Sequence, residues 1–366
     1  MKTKHALLRG AVLAVMLSTS APFAQAQATV TLYGLLDTGI EYLTNTNAAG
    51  DKLVRMPGLT GQFPSRWGFR GAEDLGGGMK AVFTLEGGFT TDAGSMGQAN
   101  RLFGRQSWVG LQTSLGTVSF GRQYSMVYLS MFSSDLIGPN TYSMGSLNSY
   151  IPNARSDNTI SYMGVFKGLT VGATYSLGRD TANTGPAASN CPGENASDHN
   201  ICKQWTAMLK YDTAAWGAAL AYDVMHGGPG ASGGLVRSAL TDTHLHASGW
   251  AKFAAVKIGG GVVRRENDGT PLTPKSDLLY LGANYLLTTP LVVDAQLLKL
   301  DYKRSVDDTR LAVLRGTYSL SRNTAVYLMG GRVWNSGVAA LSVSAGGTIA
   351  PGMAQTGVMT GLRHSF

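Results

Sequence analysis

The chain has 366 residues, a formal net charge of +8 at pH 7 and only 14% charged residues. After the first 26 residues, no stretch approaches the roughly 18 uninterrupted apolar residues of a transmembrane helix, which excludes a helical membrane protein. The mild positive charge is spread along the chain, so it gives no basis for nucleic-acid binding.

Residues 1–26 are predicted to be a secretory signal peptide. A basic segment precedes an apolar run over residues 11–17, and a small-residue cleavage site ending at Ala26 follows. The apolar run is about half of the roughly 20 residues that span a bilayer, which disfavours a membrane anchor. Cleavage is predicted between Ala26 and Gln27. Residues 27–366 contain no linker or abrupt change of composition, so they are predicted to form a single domain.

From residue 29 onward, apolar residues recur with a period of two, which is the spacing of β-strands. In "TVTLYGLLDTGI", Val30, Leu32 and Leu36 share one face, while Thr31 and Asp37 lie on the other. The same alternation is present in "QWTAMLKYD", "HLHASGWAKF" and the final "GVMTGLRHSF". At roughly 10 residues each, about 16 strands are predicted.

The connections between the predicted strands are of two kinds. Short turns such as "EDLGGGMK" and "VFKGLT" alternate with long polar segments over residues 179–203, 226–240 and 335–353. This alternation is typical of a membrane barrel whose short turns share one rim. A soluble β-sandwich also has alternating strands, but it rarely joins so many strands of one kind without a domain break. The sequence therefore predicts an all-β, 16-stranded antiparallel transmembrane β-barrel, with apolar side chains toward lipid and polar ones toward a lumen.

Residues 125–154 are long for a connection without structure of its own. They are also apolar for a loop in water, since they include Tyr128, Phe132 and Ile137. We expect this segment to pack on the barrel wall; the alternative is packing against neighbouring loops outside the barrel.

The two cysteines, Cys191 and Cys202, are candidates for a disulfide bond in an exported protein. Such a bond would close a loop of about a dozen residues and stabilise the fold by about 3 kcal/mol. Two free thiols are the alternative.

Several segments together resemble the general diffusion porins of Gram-negative outer membranes, in particular their beta-proteobacterial branch. They are "VTLYGLLDTGIEY", "SRWGFRGAEDLGGGMKAVFTLE", "LFGRQSWVGLQTSLGTVSFGRQY", "RSDNTISY" and "GLRHSF". The resemblance implies a homotrimer in the outer membrane, in contact with lipid and lipopolysaccharide, with the third extracellular loop folded inward. It also implies that the terminal Phe366 is the signal read by the barrel-assembly machinery, and that small ions and hydrophilic solutes diffuse through the pore.

In this family, a ladder of basic residues faces the third loop and narrows the pore. The resemblance assigns the constriction to Arg66, Arg105, Arg122 and Arg155, with Asp135 as the acid of the loop. Further candidates for the lumen wall are Arg70, Asp157, Tyr124 and Tyr128. Many relatives have an acidic residue soon after the loop proline, whereas this chain has Pro139-Asn140-Thr141. Four arginines facing one acid predict a positive constriction and a preference for anions.

Three alternatives remain open from the sequence. A channel specific for one solute, such as phosphate or an organic anion, is compatible with the same arginines. An outer-membrane enzyme is less supported, because His244 and His246 share a face but no G-x-S-x-G motif accompanies them. An adhesive barrel would have a plugged lumen. No metal site is predicted, since a third ligand beside these histidines is not evident, and no cofactor motif is found.

Overall fold

The structure is a computed structural model that describes residues 28–58, 61–138, 141–180 and 191–366. The described residues are mostly β-strands, with a few short helical segments in the connections. The strands in chain order are β1 Thr29–Leu43, β2 Leu53–Arg55, β3 Arg66–Gly76, β4 Met79–Gly88, β5 Gln106–Thr113, β6 Gly116–Tyr124, β7 Arg155–Phe166, β8 Leu169–Ser176, β9 Gln204–Asp212, β10 Trp216–His226, β11 Thr241–Phe253, β12 Val256–Asn267, β13 Lys275–Thr288, β14 Leu291–Tyr302, β15 Thr309–Ser319, β16 Thr324–Asn335 and β17 Ala354–Ser365.

Sixteen of these strands close into an antiparallel barrel, and the three-residue β2 pairs with the end of β1. From β3 to β17, each strand pairs with the next along the chain. Strand β1 closes the ring because Leu35 faces Arg66 of β3 on one side and Ser365 of β17 on the other. The backbone N–H of Phe366 donates to the Gly34 carbonyl at 3.1 Å and the Gly34 N–H donates back at 3.0 Å, so the last residue completes the ladder. The predicted 16-stranded barrel is confirmed.

The predicted alternation sorts side chains between the two faces of the wall. In β1, Val30, Leu32 and Ile40 are more than half exposed on the outer surface, whereas Asp37 and Glu41 are buried inside. Strand β17 repeats this order, with Leu362 outward and Arg363 reaching the inward-facing Gln62. A closed ring satisfies every strand edge, so an apolar outer face can meet lipid without unpaired backbone groups.

The connections differ strongly between the two rims. At one rim, turns of two to four residues join the strands. In the turn between β3 and β4, Gly76, Gly77 and Gly78 have φ of 81°, 60° and 82°, a region that favours glycine. The other rim carries the long connections, which are residues 44–65, 89–105, 125–154, 177–203, 227–240, 268–274, 303–308 and 336–353. Residues 125–154 are therefore the third of these connections.

Short helical segments occur in two of the long connections. The turn α1 Gly97–Asn100 has left-handed residues at Gln98 and Ala99. Within residues 125–154 lie α2 Met126–Met131, α3 Met144–Leu147 and a 3-10 helix at Ile151–Asn153. None of the described helices has the length and apolar character of a membrane-spanning helix.

Residues 125–154 lie against the inner wall of the barrel, and most of their described apolar side chains are buried, with Phe132 the exposed exception. Those with at most 2% exposure are Met126, Val127, Met131, Ile137, Tyr142, Met144, Ile151 and Ala154. Apart from Ala154, burying each such side chain contributes about 1.5–3 kcal/mol. The wall also supplies hydrogen bonds: Ser130 Oγ lies 2.6 Å from His246 Nδ1, and Ser134 Oγ lies 2.7 Å from Tyr280 Oη. The segment is thus held inside the barrel.

Some sequence predictions lie outside the described residues. The signal peptide of residues 1–26, the cleavage site between Ala26 and Gln27, and the loop dipeptide Pro139-Asn140 all belong to this part of the chain. They remain predictions.

Candidate pore constriction

A cavity of about 620 Å³ separates residues 131–138 of the third long connection from the opposite wall, and we call it the passage. Its lining consists of Phe63, Pro64, Arg66, Glu86, Arg105, Gln106, Tyr124, Tyr128, Met131, Phe132, Asp135, Leu136, Ile137, Gly138, Lys257 and Asn284. Three cationic and two acidic side chains therefore line it. Charges on a narrow, low-dielectric wall act strongly on passing ions, because such walls focus field lines.

The four predicted arginines lie at or next to the long-connection ends of β3, β5, β6 and β7, which brings them to a similar level of the barrel, and a register shift between Gly121 and Gln123 interrupts the alternation at Arg122. Arg66 opens β3 and Arg155 opens β7, while Arg122 lies near the end of β6 and Arg105 immediately precedes β5. In register, Arg122 faces Ser107 and Arg155 faces Tyr124. The structure nevertheless gives these arginines different partners.

Arg66 and Arg105 share one carboxylate, that of Glu86. Arg105 Nε donates to Glu86 Oε1 at 2.7 Å, and Arg66 Nε lies 3.5 Å from Glu86 Oε2. Tyr33 Oη also donates to Glu86 Oε2 at 3.0 Å. Arg105 is 3% exposed, whereas Arg66 is partly exposed to the passage. Two cations held by one acid leave a net positive charge on this wall.

Arg155 lies behind Tyr124 and does not line the passage. Its guanidinium carbon is 4.5 Å from the Tyr124 ring centre, and Nη2 donates to Tyr124 Oη at 3.1 Å. Arg105 Nη2 donates to the same oxygen at 2.6 Å. The Tyr124 and Tyr128 rings stack with centres 4.3 Å apart. The tyrosine pair therefore connects the arginines of the wall to the helix α2 of the inward segment.

Arg122 forms a separate ion-pair cluster outside the passage. Its Nη1 donates to Asp157 Oδ1 at 2.6 Å, and Nε donates to the Gly104 carbonyl at 2.8 Å. Arg101 Nη2 also pairs with Asp157 at 3.1 Å and contacts Asp180. These two arginines and two carboxylates balance each other, so the cluster adds no net charge. Its role in the structure is to join the second long connection to β7.

Asp135 lines the passage from the inward segment. Gln296 Nε2 donates to its Oδ1 at 2.9 Å, and the Gly138 N–H donates to the same atom at 3.2 Å. The other carboxyl oxygen, Oδ2, is buried and has no hydrogen-bond partner among the described residues. Burial raises the pKa of Asp135 to about 6. Asp135 is consequently ionised at neutral pH and neutral in mildly acidic solution.

The far end of the inward segment is fixed by a second group of buried hydrogen bonds. Tyr150 Oη donates to Asp223, and Gln204 Nε2 donates to Asp223 Oδ1 at 2.7 Å. Near Asp135, Arg315 Nη1 donates to the Ile137 carbonyl at 2.9 Å. Together with the hydrogen bond between Ser130 and His246 on the other side of the lining, these anchors fix the position of the passage lining.

Two charged residues of the passage, Glu86 and Lys257, were missed by the sequence analysis. Glu86 lies in β4, which carries none of the predicted arginines, and Lys257 lies on the opposite side of the barrel in β12. The period-two pattern was the available signal, since it places both on inward faces. The candidate Arg70 faces the lumen with its guanidinium 5.4 Å from the Tyr33 ring centre.

The remaining predicted site residues concern the fourth long connection and metals. Cys191 and Cys202 form a disulfide bond, with Cα atoms 5.3 Å apart. Within the described part of the chain, no group of three or more His, Cys, Asp or Glu side chains is placed to hold a metal ion.

Comparisons with known proteins identify the family. A family model described as Gram-negative porin matches residues 11–338. Outer membrane porin protein 32 of Delftia acidovorans is 30% identical, with 97% of this chain and 98% of the relative covered. An outer membrane porin protein of Bordetella pertussis is 36% identical over 229 residues, which are 58% of each chain.

Solved porin structures share the fold. The anion-selective porin from Comamonas acidovorans has a TM-score of 0.70 at 24% identity, covering 93% of this chain and all of that chain. The trimer form of the outer membrane protein OmpT of Vibrio cholerae has a TM-score of 0.65 at 17% identity, covering 93% and 99%. With a closed barrel, an inward third connection and a family match along most of its length, this chain belongs to the Gram-negative porin family and is an outer-membrane porin.

Proposed function

We propose that this porin forms a water-filled channel for passive diffusion of small hydrophilic solutes and ions, and that the channel prefers anions. The main support for the anion preference is that the single carboxylate of Glu86 pairs with both Arg66 and Arg105. Lys257 adds a further cation to the lining, and Asp135 is the second acid. The net charge of the lining is therefore +1 at neutral pH.

Arg155 supports the same sign. It is 2% exposed, and no described carboxylate lies within ion-pair distance of it. Its charge is stabilised by the Tyr124 ring and hydroxyl, which are neutral. A buried cation without a counter-charge adds to the positive potential of the wall. The anion-selective porin from Comamonas acidovorans, as an analogue, agrees with this reading.

Ion replacement in planar bilayers tests the proposal. Exchanging K⁺ for the more slowly diffusing Li⁺ is expected to change single-channel conductance little, whereas exchanging Cl⁻ for acetate is expected to lower it clearly. The reverse order of effects would refute the anion preference. A folded barrel without conductance steps would refute the open channel and turn attention to an enzymatic or adhesive role.

The alternative of a solute-specific anion channel has one observation in its favour. Phe132 is 53% exposed although it lines the passage. An exposed aromatic ring offers a surface on which an organic anion can bind. Conductance that saturates with one organic anion, and recovers in Phe132→Ser, would favour this alternative over simple diffusion.

We also propose a homotrimer, exported through removal of residues 1–26 and assembled through recognition of Phe366 by the barrel-assembly machinery. Exposed apolar residues of β1, including Val30 and Leu32, offer a flat face for subunit contact. Crosslinking of the membrane-embedded protein is expected to give three subunits. An intact mass that begins at Gln27 would support the cleavage site, and a chain retaining the first residues would refute it.

A further inference from the structure

The first long connection, residues 44–65, enters the lumen where it approaches β3. Phe63 and Pro64 line the passage together with residues 131–138 of the inward segment. The polar side chains beside them are buried, since Gln62 is 2% and Ser65 is 3% exposed. Buried polar side chains in a connection are typical of a segment that is bound to the protein and not extended into water. We call residues 61–65 the Phe63 segment.

Asp37 of β1 holds the main chain of the Phe63 segment. Its Oδ2 accepts hydrogen bonds from the backbone N–H groups of Gln62 and Phe63, each at 2.9 Å. Ser65 Oγ accepts from the Asp37 N–H at 3.0 Å and donates to the Asp37 carbonyl at 3.0 Å. Tyr327 Oη of β16 donates to the other carboxyl oxygen at 2.8 Å. Hydrogen bonds to a carboxylate are stronger than those between neutral groups, so this anchor is firm.

Side chains of the Phe63 segment contact two further strands. Gln62 Nε2 donates to Thr317 Oγ1 of β15 at 2.7 Å, and Gln62 Oε1 accepts from Arg363 Nη1 of β17 at 2.8 Å. The guanidinium of the same arginine lies 5.2 Å from the centre of the Phe63 ring, within the range of a cation–π contact. The backbone and the ring of Phe63 are therefore both held against the inner wall.

The fit of the Phe63 segment to the wall is close. A Cβ atom at Gly61 would overlap Tyr327 Oη and Asp37 Oδ1, so the backbone can approach the wall only because this residue is glycine. At the other end, Arg66 Nη1 donates to the Pro64 carbonyl at 3.2 Å. The segment thus joins the wall directly to an arginine of the passage.

We propose that the Phe63 segment is a second inward element of the channel, and that the Phe63 ring sets the size limit for solutes in the passage. This inference rests on the proposed channel function. The ring and residues 131–138 line the same cavity of about 620 Å³, so the ring takes up space that solutes would otherwise use. Asp37 is the positioning residue, because it holds the backbone that carries Phe63. The solutes most affected are uncharged polyhydroxy compounds larger than a pentose, which are sorted by pore width and not by charge.

The test of the size limit measures swelling of liposomes that contain the purified protein, with arabinose and sucrose as probes. Phe63→Ala is compared with Phe120→Ala, a matched control whose ring is 53% exposed on the outer surface. The ratio of sucrose uptake to arabinose uptake is expected to rise roughly threefold in Phe63→Ala and to stay unchanged in the control. The reversal potential of Phe63→Ala in a KCl gradient should equal that of the wild type, because no charge is removed.

The test of the positioning role records single channels of Asp37 variants. Asp37→Ala leaves two backbone N–H groups without their acceptor, so the segment is released and brief partial closures are expected. Asp37→Asn keeps one carbonyl oxygen for these groups and should remove most of the closures. The double variant Asp37→Ala/Phe63→Ala should close less deeply than Asp37→Ala, because the obstructing ring is absent.

Other outcomes overturn the proposal. An unchanged uptake ratio in Phe63→Ala, with arabinose uptake intact, would refute the size limit and leave the channel itself supported. Closures of equal depth in Asp37→Ala and in the double variant would show that Asp37 does not act through Phe63. A wild type that takes up neither sugar would refute both the channel and its size limit.

Discussion

Glu86 is predicted to be the residue that limits the positive charge of the passage. Replacing it by Gln keeps the shape and an oxygen acceptor for Arg105, but raises the net charge of the lining from +1 to +2. At about 6 Å from an ion, in the high effective dielectric of a wet pore, a unit charge is worth about 1 kcal/mol. Because the same charge change stabilises chloride and destabilises potassium by about 1 kcal/mol each, the ratio of chloride to potassium permeability is expected to rise roughly thirtyfold.

A double-mutant cycle separates this electrostatic effect from damage to the fold. Arg66→Gln removes one cation and is expected to lower the same permeability ratio by a similar factor. The double variant Arg66→Gln/Glu86→Gln should return close to the wild-type ratio, because the net charge of the lining is restored. Glu194→Gln, an exposed change in the fourth long connection, is the matched control and should leave the ratio unchanged.

The permeability ratios are obtained from reversal potentials in planar bilayers, with each variant first shown to be folded by its heat-dependent migration on gels. Breaking a buried ion pair costs about 3 kcal/mol, so a lowered unfolding temperature is expected for Glu86→Gln alone. A ratio that falls in Glu86→Gln, or changes no more than in Glu194→Gln, would refute the assignment of Glu86 to the passage wall.

Three further predictions concern the inward segment and the fourth long connection. Because the pKa of Asp135 is raised to about 6, acidification from pH 7.5 to about 5 neutralises one acid of the passage and should increase the anion preference. Asp135→Asn should abolish this pH effect. A decrease of the anion preference on acidification would contradict the prediction. Tyr150→Phe leaves the buried Asp223 without its hydroxyl donor, which lowers the free energy of unfolding by about 1–3 kcal/mol. Because the inward segment is then held less firmly, single-channel currents should be noisier. Currents as quiet as those of the wild type would contradict the anchoring role of Tyr150. The disulfide bond between Cys191 and Cys202 predicts no free thiol in the denatured, unreduced protein, and two reactive thiols before reduction would contradict the bond. Removing the bond should lower the free energy of unfolding by about 3 kcal/mol.

The barrel could be predicted from the sequence because its pattern is repeated in every strand. Period-two alternation follows from strand geometry with one face toward lipid and one toward the lumen, and closure of the ring follows from the need to pair backbone groups in lipid. The contrast between short and long connections is typical of outer-membrane barrels. The side of the wall on which Arg66 or Leu362 lies follows from the same count. Residues 125–154 were predicted to pack on the barrel wall because the segment is long and contains more apolar side chains than a loop exposed to water.

The partners of each charge could not be predicted, because alternation fixes a face and not a neighbour. Arg66 and Arg155 are each the first residue of a strand and both face inward, yet Arg155 is buried against Tyr124, whereas Arg66 reaches the passage. The contact between Glu86 and Arg105 depends both on the register of β4 with β5 and on the path of the second long connection, residues 89–105. Lys257 enters the passage from the opposite wall, which depends on the closure of the whole ring.

The anion preference of the passage is measured by the reversal potential of the wild-type channel in a tenfold KCl gradient. With a lining of net positive charge, we expect a potential with the sign of chloride permeation, reduced in Arg66→Gln. A potential with the sign of potassium permeation would keep the porin but contradict the arginine-dominated passage.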